Sequence, residues 1–242
     1  MIVERKSLSY ALGSVALLAF VATPVALQSA AAQSGAAICQ GIEVVSDELT
    51  PAAAAMYCKY AVAERKKVEK YWGPTWQEDI RIQVSSSYSA ASTLVKDGGQ
   101  PGNIEMPLDR VKDGRGGLLH EITHNYAPNQ NRFLYEGLGV YLQAKIGGNP
   151  SYPNFGRKLG VLAGSRLSSV SSLEPLNSVR FPRPLDRIMP ERAAYFLAGS
   201  FVEYLIERYG LPKFRILYED GHYEKAYQKS LRVLEQEWRS SL

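Results

Sequence analysis

The chain has 242 residues, 45% of them hydrophobic and 21% charged, which suits one globular domain of roughly 200 residues once a targeting segment is removed. Its formal net charge is +4, one unit of which comes from Glu4, Arg5 and Lys6 together, and its basic residues alternate with acidic ones, as in ERKKVEK. No lysine- and arginine-rich run interleaves with aromatics, so the charge pattern argues against a nucleic-acid partner.

Residues 1–32 differ in character from the rest. A charged start (MIVERK) leads into an apolar run from Tyr10 to Val25 and then the small residues of QSAAAQ. That order is the pattern of a secretory signal peptide, with Ala30, Ala31 and Ala32 offering an A-x-A cleavage site before Gln33. The alternative is a retained anchor, but the run is interrupted by Pro24 and is shorter than the roughly 20 residues of a spanning helix. Cleavage is therefore expected, with residues 33–242 forming a single periplasmic or extracellular domain that has no stable membrane insertion. Cys39 is not expected to carry a lipid, because Ile38 is too bulky for the position before a lipidated cysteine. Two cysteines remain, Cys39 and Cys58, and an even count in an exported chain favours a disulfide between the N-terminal tail and the first helix. Two free thiols are the alternative.

After a short tail, residues 51–72 form a predicted helix, with Thr50 as its cap, Pro51 at the permissive first position, and Gly73 at its end. Ile80, Ile82 and Val84 alternate with polar residues, the period of a half-buried strand. A polar loop (96–103) precedes an extended piece at 103–108, whose Pro107 suits the edge of a sheet. From Gly116 the pattern is mostly helical: GGLLHEITHNY and RFLYEGLGVYLQAKIG flank the short turn APNQN. Residues 147–190 are proline- and serine-rich, with at most one short helix near 157–167, and are read as a wall or lid of a cleft. Three further helices follow, PERAAYFLAGSFVEYLIERYG, LPKFRILYED and SLRVLEQEWRSSL. The resulting class is α+β: a small N-terminal mixed or antiparallel sheet with helices, then a helical C-terminal half.

The chemistry concentrates at HEITH, which holds two of the three histidines, His120 and His124. On a helix these residues share a face one turn apart, so both imidazoles can address one ion, while Glu121 projects from the adjacent face within reach of a metal-bound water. Zinc accepts neutral imidazole well, and a catalytic site leaves one position open for water. The motif sits in an apolar frame of Leu118, Leu119, Ile122 and Tyr126. The next helix carries Glu136 among Phe133, Leu134, Leu138 and Val140, where a carboxylate is costly unless paired or bound to metal.

HEITH followed by FLYEGLGVYLQ resembles the glutamate-type zinc metallopeptidases, the gluzincins, and especially their compact peptidase MA-like branch. There H-E-x-x-H precedes a W-L-x-E-G-x-A-x-Y type segment on the next helix. GSFVEYLIERYG and KAYQKSLRVLEQEWRSSL are also similar to that branch, so the resemblance spans roughly residues 79–242. It implies a zincin-like fold, one zinc ion held by His120, His124 and Glu136, Glu121 as general base, and a peptide or protein substrate. It also suggests Tyr195 as the donor that stabilises the oxyanion, against the alternative that Tyr195 is one more core aromatic. His222, after Asp220 and Gly221, reads as an exposed loop histidine that competes weakly for that part.

The sequence departs from the pattern in three places. Phe133 replaces the family's tryptophan, the turn between His124 and Glu136 is short, and Val140 stands where thermolysin-like enzymes carry an aspartate that supports a histidine ligand. Support is then expected from Asn125 or a backbone carbonyl. A bound peptide is expected along an edge strand at 103–107. The leading expectation is an exported zinc metallopeptidase. The alternative is a non-catalytic zinc-holding envelope protein that binds a peptide or cell-wall component in the same groove.

Overall fold

In a computed structural model the described residues are 35–73, 79–96, 100–113, 116–148 and 154–242, with the side chains of residues 95, 96, 100 and 101 left out. The expected signal peptide, residues 1–32, lies outside them. So does part of the loop expected at 96–103.

The strands are β1 (Gly35–Cys39), β2 (Ile42–Ser46), β3 (Ile80–Ser85), β4 (Ser92–Lys96) and β5 (Gln100–Pro107). They form one mixed sheet in the order β1-β2-β3-β5-β4, with β1/β2 and β4/β5 antiparallel and β2/β3 and β3/β5 parallel. The helices are α1 (Pro51–Trp72), α2 (Leu108–Lys112), α3 (Leu118–Tyr126), α4 (Arg132–Ile146), α5 (Leu159–Gly164), α6 (Glu174–Asn177), α7 (Glu191–Tyr209), α8 (Leu211–Asp220), α9 (Tyr223–Tyr227) and α10 (Leu231–Ser241). This is the expected α+β layout, with the sheet on the N-terminal side.

Side chains alternate across each strand, and one set is buried. Ile42 pairs with Ile80, Val44 with Ile82, Ile82 with Ile104, and Val84 with Met106, all of them almost fully buried. Helices α1 and α3 cover that apolar face: α1 packs on β1 and β2, α3 on β4 and β5, and the two helices touch. Burial of one such side chain contributes about 1.5–3 kcal/mol, so a register slip that turned this row to solvent would cost the sheet its attachment to the helices. Helix α1 begins where Thr50 accepts a hydrogen bond from the Ala53 amide (3.2 Å) and ends at Gly73, whose φ of 94° few other residues tolerate. The Cys39–Cys58 disulfide ties β1 to α1, with 6.1 Å between the Cα atoms.

Three local expectations are corrected. The N-terminal tail contains the β1–β2 hairpin, turned by Gln40 (φ 45°) and Gly41 (φ 74°), the two positive-φ residues of a tight hairpin turn. The piece at 103–108 is not an edge: β5 lies between β3 and β4, and β4 is the edge strand on that side. Pro107 is accommodated because β4 begins opposite Glu105, leaving Pro107 without a ladder partner on that side. Among the described residues, the stretch 147–190 holds two short α-helices, α5 and α6, where at most one was expected, and two 3-10 turns at Leu167–Ser169 and Leu185–Arg187.

In the C-terminal half, α7 is the central element, packed against α4, α5, α8 and α10. A Cβ at Gly137 would lie 2.7 Å from the Ala198 carbonyl oxygen, so α4 and α7 meet almost backbone to backbone. Val140 packs against Gly199 in the same contact and fills the space that any side chain there would need. Helix α10 closes the core through Trp238, whose indole donates to Ser200 Oγ (3.1 Å). Among the described residues no helix is long and apolar enough to cross a membrane.

Candidate metal centre

Helix α3 presents His120, Glu121 and His124, and α4 presents Glu136; all four are buried to within 4% of full burial. Two features fix the spacing of the helices. The turn between them is held by Asn129, which accepts the Asn131 amide (2.7 Å), and by Asn131, which caps α4 by accepting the Leu134 amide (3.2 Å). Gln143 of α4 then reaches back, its Oε1 accepting the His120 backbone N–H at 3.1 Å.

The two imidazoles and the Glu136 carboxylate converge. His120 Nε2 is 2.9 Å from His124 Nε2 and 3.1 Å from Glu136 Oε2, and His124 Nε2 is 3.5 Å from that same oxygen. Zinc ligands at 2.0–2.1 Å in a tetrahedron lie about 3.3 Å apart, so this donor set has the spacing and the chemistry of a zinc site. Gly139 provides the room: a Cβ there would stand 2.8 Å from His120 Cε1 and Nδ1 and 3.0 Å from His124 Cε1. The glycine lets both rings lie against α4.

The electrostatics follow from burial and from who faces whom. His124 is lowered to about 4 by burial and then by the charge on His120, which keeps its ring neutral and its lone pair available. For His120, burial opposes the charged form, but the hydrogen bond to Glu136 and the charges of Glu121 and Glu136 outweigh it, and its pKa is raised. Burial also works against ionised Glu136, yet His124, His120 and Arg132 together hold its carboxyl well below the usual range. Burial pushes Glu121 upward, and Glu136 adds to the rise, while His120 and the hydrogen bond from Thr93 oppose it.

Several residues in this centre carry no signal in the motif. Thr93, on the edge strand β4, lies 2.9 Å from Glu121 Oε2 and 3.0 Å from the Glu121 carbonyl oxygen. Arg132 Nη2 is 2.6 Å from Glu136 Oε1, so the carboxylate gives one oxygen to the arginine and turns the other to the histidines. Arg132 is itself braced over the Phe181 ring, 4.4 Å from its centroid. Tyr135 stacks on His124 at 3.6 Å, with the planes 8° apart. Only Arg132 was findable from spacing, being four residues before Glu136 on one helix face.

Tyr195 lines the cleft and stacks beside His120, with ring centroids 6.1 Å apart. Its hydroxyl donates to Glu191 Oε1 at 3.1 Å, and burial raises its pKa well above the ordinary value. Asn125 does not support a histidine: its amide donates to the Glu121 carbonyl at 3.3 Å, because its side chain runs back along its own helix. His222 stands exposed at the start of α9 and takes no part in the cleft.

No protein-family model matches the sequence, and no curated protein matches it. Among solved structures, a mutant of an M1 zinc metallopeptidase from Deinococcus radiodurans is similar over 85% of this chain and 51% of that chain, at 15% identity and a TM-score of 0.52. The fold is zincin-like. A second structure of an M1 zinc metallopeptidase from the same organism covers 77% of this chain and 43% of that chain, at 18% identity and a TM-score of 0.48. The chain spans about half the length of the solved chains it matches. Within this zincin-like fold the His120, His124 and Glu136 cluster opens on a cleft of about 590 Å³. The cleft is bounded by Ala90 to Thr93 on the sheet side and by Tyr195 and Phe196 on the helical side.

Proposed function

We propose that the chain is an exported zinc-dependent metallopeptidase of the gluzincin type, with one zinc ion held by His120, His124 and Glu136 and with Glu121 as general base. One observation carries this reading: three buried donor atoms, 2.9, 3.1 and 3.5 Å apart, sit beside a further buried carboxylate at the floor of an open cleft. A site that only held metal would have no use for Glu121 in that position.

Bound there, zinc supplies Lewis acidity toward a water and a substrate carbonyl. Thr93 holds Glu121 Oε2, which leaves Oε1 to take a proton from the attacking water and to pass it to the leaving amine. Tyr195, released from Glu191, donates to the developing oxyanion, and its elevated pKa keeps the hydroxyl protonated. Arg132 fixes the Glu136 carboxylate against rotation. The substrate backbone pairs with the free edge of β4, a reading supported by the presence of Ala90 to Thr93 along the cleft. Export is supported by the composition of residues 1–32 and by the Cys39–Cys58 disulfide.

The test is to measure zinc in the purified domain and its cleavage of an unbiased peptide mixture, with Glu121→Gln as control. One zinc per chain and cleavage lost in the variant are expected. Zinc retained with no cleavage by either protein would instead leave a metal-holding binding protein.

A further inference from the structure

We propose that the cleft selects peptides that carry a carboxylate close to the scissile bond, gripped by Arg192 and Arg110; this rests on the peptidase reading of the same site. Three arginines line the cleft, and they are not equivalent. Arg132 is engaged with Glu136. Arg110, on α2 at the sheet side, and Arg192, on α7 at the helical side, have no ion-pair partner among the described residues.

Arg192 is positioned for such a role. It precedes Tyr195 by three residues on α7, which puts the two on one face about a helical turn apart, and a turn rises about 5.4 Å. Tyr195 in turn stacks beside His120. The Arg192 guanidinium lies over the Phe155 ring, 4.3 Å from its centroid, and 5.9 Å from that of Phe196. A guanidinium held over an aromatic ring is partly desolvated yet still has N–H groups to offer a planar anion.

The charge balance of the cleft points the same way. Of its three lining carboxylates, Glu121 and Glu136 are buried in the metal centre, and Glu191 accepts the Tyr195 hydroxyl. Among the described residues the outer cleft therefore presents two guanidiniums without an ion-pair partner, from two walls, against the one carboxylate of Glu191, a net positive balance. An excess of one sign in a concave surface concentrates ligands of the other, and the guanidinium fork matches a carboxylate bidentately. A peptide supplies such a group as a glutamate or aspartate side chain, or as its own C-terminal carboxylate.

Direct binding to the Glu121→Gln protein with zinc in the buffer tests this, using labelled peptides that differ only by glutamate for glutamine, or by a free for an amidated C-terminus. The carboxylate-bearing member of a pair is expected to bind tenfold or more tightly. That ratio is expected to fall to threefold or less in Arg192→Gln and in the Arg192→Gln, Arg110→Gln double variant. A response to glutamate assigns the carboxylate to a side chain, and a response to amidation assigns it to the chain end. Equal affinities within every pair, undetectable binding of all peptides, or a preference that survives both substitutions overturns the proposal. Its failure is distinguishable from that of the peptidase reading: cleavage of neutral peptides without preference sinks only the arginine grip. Carboxylate-selective binding with no cleavage by the unsubstituted protein sinks only the peptidase.

Discussion

Thr93 Oγ1 stands 2.9 Å from Glu121 Oε2, so a hydroxyl from the edge of the sheet holds the carboxylate that projects from α3. A hydrogen bond to an ionised group is worth about 1.5–3 kcal/mol, and here it also orients the acceptor. Thr93→Val is expected to lower kcat about 10- to 100-fold with little change in KM or in zinc content, and Thr93→Ser to restore most of it. Steady-state kinetics beside metal analysis decides this; equal rates for Thr93→Val and the parent would mean Glu121 is oriented by other groups.

Arg132 and Glu136 give a second prediction, about metal affinity. With its Oε1 held at 2.6 Å by Arg132, Glu136 turns Oε2 to the histidines. Loss of the arginine frees that rotation and leaves Glu136 Oε1 buried without its ion-pair partner. Arg132→Met is expected to weaken zinc binding about 10- to 100-fold, Glu136→Ala more, and Glu121→Gln least. Competition titration with a chelating dye ranks the three, and any other order reassigns the third ligand.

Gly139 supplies a test that needs no polar group. Alanine there gains about 1 kcal/mol of helix propensity but drives a methyl to 2.8 Å from the His120 ring. Gly139→Ala is expected to keep its circular dichroism spectrum while losing zinc affinity tenfold or more. A variant that is more stable and binds zinc unchanged would show that the rings can move aside.

Far from the cleft, Glu237 anchors α10. The Lys229 ammonium, 2.6 Å away, and the hydroxyls of Tyr209 and Tyr204 hold its carboxyl below the ordinary value of 4.5. A depressed pKa stabilises the fold above the unfolded pKa, and the contribution fades as pH falls through the folded one. Glu237→Gln is expected to lower Tm at pH 7, with the gap to the parent closing as pH falls below the ordinary glutamate range and through the lowered pKa of the folded state. A gap that persists at the acid end would trace the loss to packing and not to charge.

What the sequence discloses depends on whether the cause is local. Helix α1 was legible because Thr50, Pro51 and Gly73 mark its ends within the chain itself. The cluster of His120, His124 and Glu136 was legible because His120 and His124 are one turn apart, and Glu136 was the carboxylate left among apolar neighbours. Strand β4 was not legible: Ser92, Thr93 and the preceding SSSYSAA lack apolar alternation, and this strand exists because β5 offers it a partner. Thr93 was hidden for the same reason, 28 positions from the glutamate it touches. The β1–β2 hairpin escaped because Gln-Gly is a weaker turn signal than Asn-Gly. Asn125 was adjacent in sequence and aimed elsewhere, because a short side chain on a helix finds its own backbone first.

The glycine contact between α4 and α7 has a consequence for anyone who wishes to change what the cleft admits. With Gly137 against the Ala198 carbonyl and Gly199 against Val140, the helix bearing Glu136 and the helix bearing Tyr195 and Arg192 are locked together, and neither can be spread without bulk that the seam has no room for. Redesign on that side would unfold the scaffold before it widened the groove. Libraries are better aimed at the opposite bank, Ala90 to Ser92, where the sheet ends in an open edge and small side chains leave space to grow.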